Sequence, residues 1–358
     1  MKTQIGLIRR IKRCVMIIFT GCCIAALSSG CYKDPLSSAI NDNKMSPYLY
    51  ALLIVSDACS PGSMVWKEEA GNPFIHGGGA SGVNRAYYPY VIRVGADYHI
   101  WYGDGMNTRH TTSFYPDFHD ASFPAPVVTG LSAAYKPYHP RVKYNPGGWT
   151  VGGNFYSGPF LMYYTEGVTW TPTPRVAHSA DGQTWTDIGA CTGVSQYAGD
   201  SIYSFDVLYE GGADWKAYRD NGGAQISYFT SSNGLDWAIG SANILGTYQA
   251  WWENAGNGNI SPSIYKVGST YVLFFSGGLT SNDNAFGYAT STDGSTFIKS
   301  ANNPIFSKND GVSWRDVRTY TASVVQDGSM WYLYFTGRTD TPSTSYSIGL
   351  AKKCGMLY

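Results

Sequence analysis

The chain has 358 residues, of which 14% are charged and 15% aromatic, with 42 Gly and 17 Pro. Its 25 basic residues balance 25 acidic ones, which argues against a nucleic-acid partner. Many aromatic residues together with Gly suit short strands joined by tight turns, because flat rings pack on pleated sheets and Gly allows positive φ. The length permits one large domain or two ordinary ones.

The N-terminal segment has the pattern of an export signal. Five basic residues lie among the first 13, an apolar run follows over residues 14–27, and the first acidic residue is Asp34. The sequence Ser-Ser-Gly before Cys31 resembles a bacterial lipobox, whose cysteine is acylated and becomes the new N-terminus. We therefore predict a lipoprotein signal peptide over residues 1–30 with acylation of Cys31, and Cys22 is a second possible site. An uncleaved anchor is the alternative, but roughly 14 apolar residues are short for a membrane span.

The next segment, residues 31–46, is polar and has no sustained periodicity, so we expect a tether between lipid and domain. The lipid would hold the protein on a membrane without a transmembrane helix. The predicted location is the bacterial cell envelope, either periplasmic or at the cell surface.

The remaining residues, 47–358, repeat a unit of roughly 50 to 65 residues. Each unit begins with a short strand, often opened by Pro, and continues through a turn into a strongly aromatic strand. The five strand pairs are residues 89–92 with 98–102, 140–142 with 160–164, 206–209 with 215–218, 262–265 with 271–275, and 322–325 with 331–335. Three units continue with a Ser-x-Asp-Gly or Ser-x-Asn-Gly turn before an aromatic residue, and we interpret these turns as structural.

The fifth unit lacks an outer strand of its own, and the N-terminal segment supplies a matching one. Trp66 lies seven residues before Pro73, as Phe297 lies seven residues before Pro304. We therefore predict an all-β fold, a five-bladed β-propeller over residues 47–358 that is closed by an N-terminal strand. Such closure leaves no strand edge exposed.

The cysteines agree with this closure. Cys59 precedes the borrowed strand and Cys354 follows the last strand of the fifth unit, so we predict a Cys59–Cys354 disulfide in an oxidising compartment. The alternative is that these cysteines are unpaired buried thiols, and Cys191 has no evident partner. The six His show no metal-ligand spacing, so we predict no metal site and no cofactor, with a structural calcium ion left open.

The innermost strands of a propeller face a central funnel, and ligands bind where those strands begin. The motif x-Pro-x-Val aligns the four-residue segments that start at residues 88, 139, 205, 261 and 321. Guanidinium groups suit a carboxylate or phosphate, so we expect an anionic ligand, unless each Arg pairs with an inner acid such as Asp206 or Asp316. The predicted ligand-binding residues are Arg85, Tyr88, His139, Arg141, Trp252 and Arg318.

Over residues 63–353 the chain resembles the five-bladed propeller glycoside hydrolases, which include arabinanases, β-xylosidases, levansucrases and invertases. The resemblance rests on the Pro-led inner strands, the aromatic second strands and the Ser-x-Asp-Gly-x-x-Trp turns. It implies a carbohydrate ligand and two carboxyl groups flanking a glycosidic bond. The chain departs from that pattern, because Tyr88, Arg141 and Ile260 occupy the places of family carboxylates, and Asp206 comes close only with a slip of one residue.

Two functions therefore stay open. In the first, the protein binds and hydrolyses a glycan, with Asp206 and either Glu253 or Asp316 as the catalytic residues. In the second, it is a non-catalytic lipoprotein whose propeller binds a glycan or a protein partner. Two funnel-facing acids roughly 5–10 Å apart would favour hydrolysis. We interpret two further acids, Asp104 and Glu166, as turn residues.

Overall fold

The computed structural model describes most of the region predicted as the propeller, and all of these residues belong to one compact unit, Asp57–Tyr358. Cys22, Cys31 and Cys59, with the predicted signal peptide and tether, lie outside the described residues. No helix among the described residues is long and apolar enough to span a membrane. The described residues are 66–77, 85–105, 107–131, 137–166, 174–194, 204–220, 225–247, 251–253, 259–277, 285–308, 312–339, 345–355 and 357.

Over the described residues the strands form five antiparallel blades and one separate two-stranded hairpin, which confirms the predicted five-bladed propeller. Blade one consists of β2 (Tyr87–Val94), β3 (Asp97–Gly103) and β4 (Thr108–Ser113). Blade two consists of β5 (Pro137–Tyr144), β8 (Phe160–Glu166), β9 (Pro174–Ser179) and β10 (Trp185–Ala190). Blade three consists of β11 (Phe205–Gly211), β12 (Asp214–Asp220), β13 (Ile226–Ser231) and β14 (Ala238–Ser241).

Blade five, unlike blade four, combines strands from both ends of the described region. Blade four consists of β15 (Asn259–Val267), β16 (Thr270–Gly277), β17 (Ala285–Ser291) and β18 (Ile298–Lys299), and β19 (Phe306–Ser307) also pairs with β17. Blade five consists of β20 (Arg318–Asp327), β21 (Met330–Thr339), β22 (Ser345–Cys354) and β1 (Lys67–Glu68). The chain between β5 and β8 of blade two forms a hairpin that was not predicted from the sequence. It consists of β6 (Trp149–Val151) and β7 (Asn154–Tyr156).

The N-terminal strand completes blade five as predicted. Strand β1 pairs antiparallel with β22, and Lys67 lies opposite Lys352. The side chain of Asn72 accepts the N–H of Leu350 at 2.9 Å and donates to its carbonyl at 2.8 Å. Asn303 makes the same two contacts with Tyr288 in blade four, at 3.0 and 2.9 Å. The two matched segments therefore have equivalent structural roles, and the ring is closed.

The Asp-Gly and Asn-Gly turns have the structural role that the sequence predicts. In the first turn the hydroxyl of Ser179 accepts the N–H of Gly182 at 2.9 Å, and the carboxylate of Asp181 accepts the N–H of Thr184 at 2.7 Å. Gly182 has a φ of +76°, which few residues other than Gly adopt. Equivalent contacts are made by Ser231 with Gly234, Asn233 with Asp236, Ser291 with Gly294, and Asp293 with Thr296.

A β-bulge interrupts four of the five inner strands where they begin, and three of the bulges bond to the preceding blade. The bulge residues have left-handed backbones and precede Pro or Ala; they are Tyr88 (φ 56°), His139 (52°), Ser261 (53°) and Thr321 (49°). Pro has no N–H for the strand ladder, so a bulge is tolerated there. Three of these N–H groups are accepted by the second strand of the preceding blade: Tyr88 by Thr336 at 3.0 Å, Ser261 by Asp220 at 3.1 Å and Thr321 by Ser276 at 3.0 Å.

Candidate functional site

Each inner strand contributes one residue to a set that lies around the central channel, here called the channel row. Its members lie opposite an aromatic residue of the second strand in the sheet register; they are Tyr90, Arg141, Asp206, Ser263 and Ser323. Asp206 lies opposite Tyr218 in the sheet register, as Arg141 lies opposite Tyr163. Asp206 is therefore the direct equivalent of Arg141, with no shift of one residue between the two strands. The sequence alignment of blade three was therefore wrong by one residue, and Ser204 takes the position that Tyr88 and His139 occupy in their blades.

Asp206, a predicted catalytic residue, is fully buried in the channel row. Its carboxylate accepts hydrogen bonds from Lys143 Nζ at 2.8 Å, from the N–H of Ile264 at 2.8 Å and from its neighbour Val207 at 2.9 Å. Ser323 accepts the N–H of Val91 in the next blade in the same way, at 2.9 Å. These contacts give Asp206 a structural role, because they join blade three to blade four and neutralise a buried ammonium group.

The partner ammonium group stays charged. Burial acts to lower the pKa of Lys143, but the charges and hydrogen bonds of Asp206 and Tyr90 raise that pKa overall. The hydroxyl of Tyr90 accepts a hydrogen bond from Lys143 at 2.5 Å. Burial and the charge of Asp206 raise the pKa of Tyr90, so its phenol stays protonated. Lys143, Tyr90 and Asp206 therefore form one connected polar group across blades one to three.

Arg141, a predicted ligand-binding residue, lies in the channel row and is 1% exposed. Its Nη2 donates to the hydroxyl of Ser204 at 2.7 Å and to the carbonyl of Pro262 at 3.4 Å. The guanidinium carbon lies 5.1 Å from the centre of the Tyr90 ring. Its Nε and Nη1 are buried and have no hydrogen-bond partner. The alternative that Arg141 pairs with Asp206 does not hold, because Asp206 pairs with Lys143.

His139 and Tyr88 lie together next to this group. Their ring centres are 3.6 Å apart. Burial, and then the charge of Arg141, hold the pKa of His139 well below its usual range, so the imidazole is neutral. His139 is buried, whereas Tyr88 keeps part of its surface exposed. The structure therefore brings three of the predicted ligand-binding residues, Tyr88, His139 and Arg141, into one neighbourhood.

A second group of residues lies at the funnel mouth between blades five and one, here called the rim cluster. Two of its members were predicted from the sequence, and the whole cluster is Arg85, Arg318, Tyr320, Arg338 and Tyr346. The guanidinium carbons of Arg85 and Arg338 lie 5.5 and 5.6 Å from the centre of the Tyr346 ring. Arg318 lies 5.4 Å from the centre of the Tyr320 ring and directly opposite Arg338 in the sheet register. The mouth therefore places three arginines around two tyrosine rings, of which Tyr346 is half-buried and Tyr320 is buried.

Trp252, a predicted ligand-binding residue, and Glu253, a predicted catalytic residue, are both buried. The Trp252 ring is 1% exposed and stacks on Phe275 at 5.5 Å between ring centres. A Cβ added to Gly277 would lie 2.4 Å from this ring, so the indole fills the space that the missing side chain leaves. Glu253 forms a buried ion pair with Lys299 at 2.5 Å. Both residues therefore fasten blade four.

The remaining predicted acids also lie apart from the channel row. Asp316 is exposed at the end of the 3₁₀ helix Ser313–Arg315. Asp104 is nearly buried and pairs with Arg109 at 2.6 Å. The side chain of Glu166 lies outside the described residues. The three predicted catalytic residues, Asp206, Glu253 and Asp316, thus occupy three different environments and form no facing pair.

Sequence reasoning missed Lys143, Ser204 and Asp220. Asp220 is fully buried and accepts the N–H groups of Ser204 at 2.9 Å and Ser261 at 3.1 Å. Asp220 lies at the end of a second strand, at the position that Ser276 and Thr336 occupy in blades four and five. An alignment of the repeats could therefore have identified it. Within the described residues, no group of three or more His, Cys, Asp or Glu is arranged to hold a metal ion.

Comparisons with known proteins identify the fold and nothing finer. No family model matches the sequence, and a search of the curated proteins finds no significant match. Solved structures do match. A thermostable family-43 glycoside hydrolase is 17% identical with a TM-score of 0.57, over 74% of this chain and 88% of that one.

Two further structures match at similar levels. An N-acetylgalactosamine deacetylase from F. plautii, in complex with blood group B trisaccharide, is 15% identical with a TM-score of 0.61, over 81% of this chain and 95% of its own. An exo-1,5-α-L-arabinanase from a bovine ruminal metagenomic library is 14% identical with a TM-score of 0.55, over 76% and 94%. The resemblance inferred from the sequence is therefore confirmed for the fold: the chain has the five-bladed propeller of these carbohydrate-active proteins.

Proposed function

We propose that the protein binds a glycan in the propeller funnel, and that this glycan carries acidic groups. The observation that carries the proposal is the rim cluster, where Arg85, Arg318 and Arg338 surround two tyrosine rings. Guanidinium groups match carboxylates in charge and geometry, and aromatic rings offer flat apolar faces to a ligand in a concave site. The carbohydrate ligands and activities of the structural neighbours support a glycan as the ligand.

A binding experiment tests this proposal. The full-length chain is screened against neutral and acidic oligosaccharides, and the ligands found are titrated calorimetrically. We expect Arg85→Gln and Arg318→Gln to weaken binding of acidic ligands about tenfold or more, because each removes a charge-assisted hydrogen bond. Arg93→Gln is the matched control, since Arg93 pairs with Asp327 at the other end of β2. Failure of the wild type to bind any glycan, or equal losses in the control, would refute the proposal.

Hydrolysis of the bound glycan is the second candidate function. It is favoured by one observation, that Asp206 places a carboxylate in the channel row itself. The test measures turnover of aryl glycosides and polysaccharides by the wild type and by Asp206→Asn. Turnover by the wild type that Asp206→Asn abolishes, with glycan binding retained and the fold intact by circular dichroism, would support hydrolysis. Absence of wild-type turnover together with glycan binding would leave the non-catalytic alternative.

We also propose that the protein is exported and anchored to the cell envelope by a lipid on Cys31. The support is the basic, apolar and small-residue pattern of residues 1–31. Mass spectrometry of the membrane fraction should find an acylated N-terminal Cys31, and Cys31→Ala should abolish that product while Cys22→Ala preserves it. The reverse result would move the acylation site to Cys22, and unprocessed, unacylated protein in the cytosol would overturn the proposal.

A further inference from the structure

We propose that Arg141 forms a carboxylate subsite inside the channel, so that the ligand presents a uronic-acid sugar to the base of the funnel. This inference deepens the proposed glycan binding and rests on it. The rim cluster accounts for attraction of an acidic chain to the mouth, whereas Arg141 would select the one sugar that enters.

The guanidinium group of Arg141 has hydrogen-bond donors that the chain does not satisfy. An arginine has five N–H donors, of which Nη2 carries two and Nε and Nη1 carry three. The two on Nη2 face Ser204 and Pro262, and those on Nε and Nη1 have no acceptor although the residue is 1% exposed. Buried donors in folded proteins are nearly always satisfied, and a charged group without an acceptor is the costliest exception. The site is therefore suited to an acceptor that the chain does not supply.

The two carboxylates in the polar region around Arg141 are engaged with other partners. Asp206 receives hydrogen bonds from Lys143, Val207 and Ile264. Asp220 receives the N–H groups of Ser204 and Ser261. Arg141 forms no ion pair with either acid, although both belong to the same polar region. An anion from outside would thus meet a guanidinium group whose charge is not already neutralised.

The guanidinium group of Arg141 is held in place before any ligand arrives. Ser204 is fixed by its bond to Asp220 and in turn accepts from Arg141 Nη2 at 2.7 Å. The Tyr90 ring lies against the guanidinium group at 5.1 Å. Both fork edges of a guanidinium group include Nη2, which is engaged here, so an anion would accept from the Nε–H or the Nη1–H donors singly. Little freedom is lost when it binds, because the group is already oriented.

The environment also indicates how the ligand would enter. His139 stays neutral, so it adds no charge and can exchange a hydrogen bond with a sugar hydroxyl. His139 has an equivalent residue in each of the other blades. Of these five equivalent residues Tyr88 alone is partly exposed, and the other four are buried. Because Arg141 is buried, a ligand has to displace a neighbouring side chain, and the partly exposed Tyr88 ring on His139 is the one we assign to this movement.

The test is calorimetric titration of the full-length chain with D-glucuronate and D-galacturonate, and with glucose and galactose as the matched neutral sugars. We expect the wild type to bind at least one uronate about tenfold or more tightly than its neutral counterpart. Arg141→Lys keeps the charge and removes the fixed Nε–H and Nη1–H donors, and we expect it to lose this preference. Arg93→Gln should retain the preference, because Arg93 pairs with Asp327 at the other end of β2 and lies outside both proposed sites.

A second measurement does not depend on a variant that folds. The Nε–H signal of Arg141 in the ¹⁵N spectrum of the wild type should shift on addition of the uronate and stay in place with the neutral sugar. Equal binding of acidic and neutral sugars, stronger binding of inorganic phosphate than of uronate, or an unchanged preference in Arg141→Lys would overturn the subsite. If acidic oligosaccharides still bind in that case, the proposed glycan binding survives; if no glycan binds at all, both proposals fail.

Discussion

His99 and His110 form a buried pair on neighbouring strands of blade one. Nδ1 of His99 lies 3.2 Å from Nε2 of His110, and the other nitrogen of His110 lies 3.2 Å from Oε1 of Gln183. Trp101 stacks on the His110 ring at 4.4 Å. Burial, and then the neighbouring His99, lower the pKa of His110 to about 4, and burial lowers the pKa of His99 as well. The pair is therefore neutral near pH 7 and resists protonation.

This pair predicts a loss of stability in acid. Since the folded pKa of His110 lies below the unfolded value of about 6.5, the unfolded chain binds more protons between pH 6.5 and 4. The free energy of unfolding should therefore fall as the pH drops through this window, by on the order of 3 kcal/mol from His110. Urea unfolding of the wild type and His110→Phe at pH 7.5 and 4.5 measures the effect. Equal pH dependence in the two proteins would contradict it, and His119→Gln is the control at an exposed histidine.

The candidate site shows which residue properties a sequence can predict. The repeat placed Arg141 and Asp206 at the inner strands, because position within a unit determines which strand a residue occupies. It did not identify Lys143 as the partner of Asp206, or Ser204 as the partner of Arg141, because both contacts cross from one blade to the next. Such contacts depend on the twist and spacing of the blades, which the repeat pattern does not contain.

Two blades are fastened by equivalent ion pairs of opposite polarity. In blade four, Glu253 follows Trp252 and pairs with Lys299 on the outer strand at 2.5 Å. In blade five, Arg315 follows Trp314 and pairs with Glu68 on the outer strand at 2.6 Å. The Trp314 ring lies against Gly337 and Gly349 as the Trp252 ring lies against Gly277 and Gly287. The geometry is thus conserved between these repeats while the charges are exchanged.

This equivalence predicts that the blade-five pair can be inverted. Glu68→Lys alone should lower the free energy of unfolding by about 3–5 kcal/mol, because it leaves the buried Arg315 facing a second cation. Adding Arg315→Glu should restore a large part of that loss, since the double variant reproduces the polarity of blade four. Urea unfolding measures each variant, and Lys67→Glu, at the exposed neighbouring position, is the control. A double variant no more stable than Glu68→Lys would refute the equivalence.

The sequence assigned Trp252 and Glu253 to the funnel because they precede an inner strand and because aromatic and acidic residues are common in sugar-binding sites. Their structural role depends on Lys299, which lies on the outer strand 46 residues later. Residues 251–253 and 313–315 share a pattern that would have indicated this structural role. In both, a Trp precedes a charged residue, and the outer strand of the same blade has a residue of opposite charge.

At the scale of the whole molecule, ring closure was predictable because the match between the segments around Trp66 and Phe297 is local and continuous in sequence. The β6–β7 hairpin was not predicted, because it is an insertion into one unit with no counterpart in the others. Features that recur in every repeat could therefore be predicted from the sequence, whereas a feature unique to one blade could not.

The Cys59–Cys354 disulfide stays a prediction, since Cys59 lies outside the described residues. Cys354 ends β22, the strand that pairs with β1, and Cys59 precedes β1 in the chain. A bridge here would restrict the unfolded chain over nearly its whole length and so stabilise the closed ring. Peptide mapping of unreduced, alkylated protein should find the two cysteines linked and Cys191, which is free and buried, in a separate peptide. Alkylation of both Cys59 and Cys354 without reduction would contradict the bridge.

Closure of the ring predicts that Trp66 stabilises the entire propeller and not only its own strand. Trp66 is 5% exposed and belongs to a buried cluster that includes Phe274 of blade four and Leu333 of blade five. Trp66→Ala should therefore lower the free energy of unfolding by about 3–5 kcal/mol. Because both flanking blades lose the same contact, thermal unfolding followed by circular dichroism and by fluorescence should shift together, as one transition. Phe155→Ala, at a ring that is 66% exposed, should leave the midpoint unchanged, and a Trp66→Ala midpoint equal to that control would mean that the ring is held closed by other contacts.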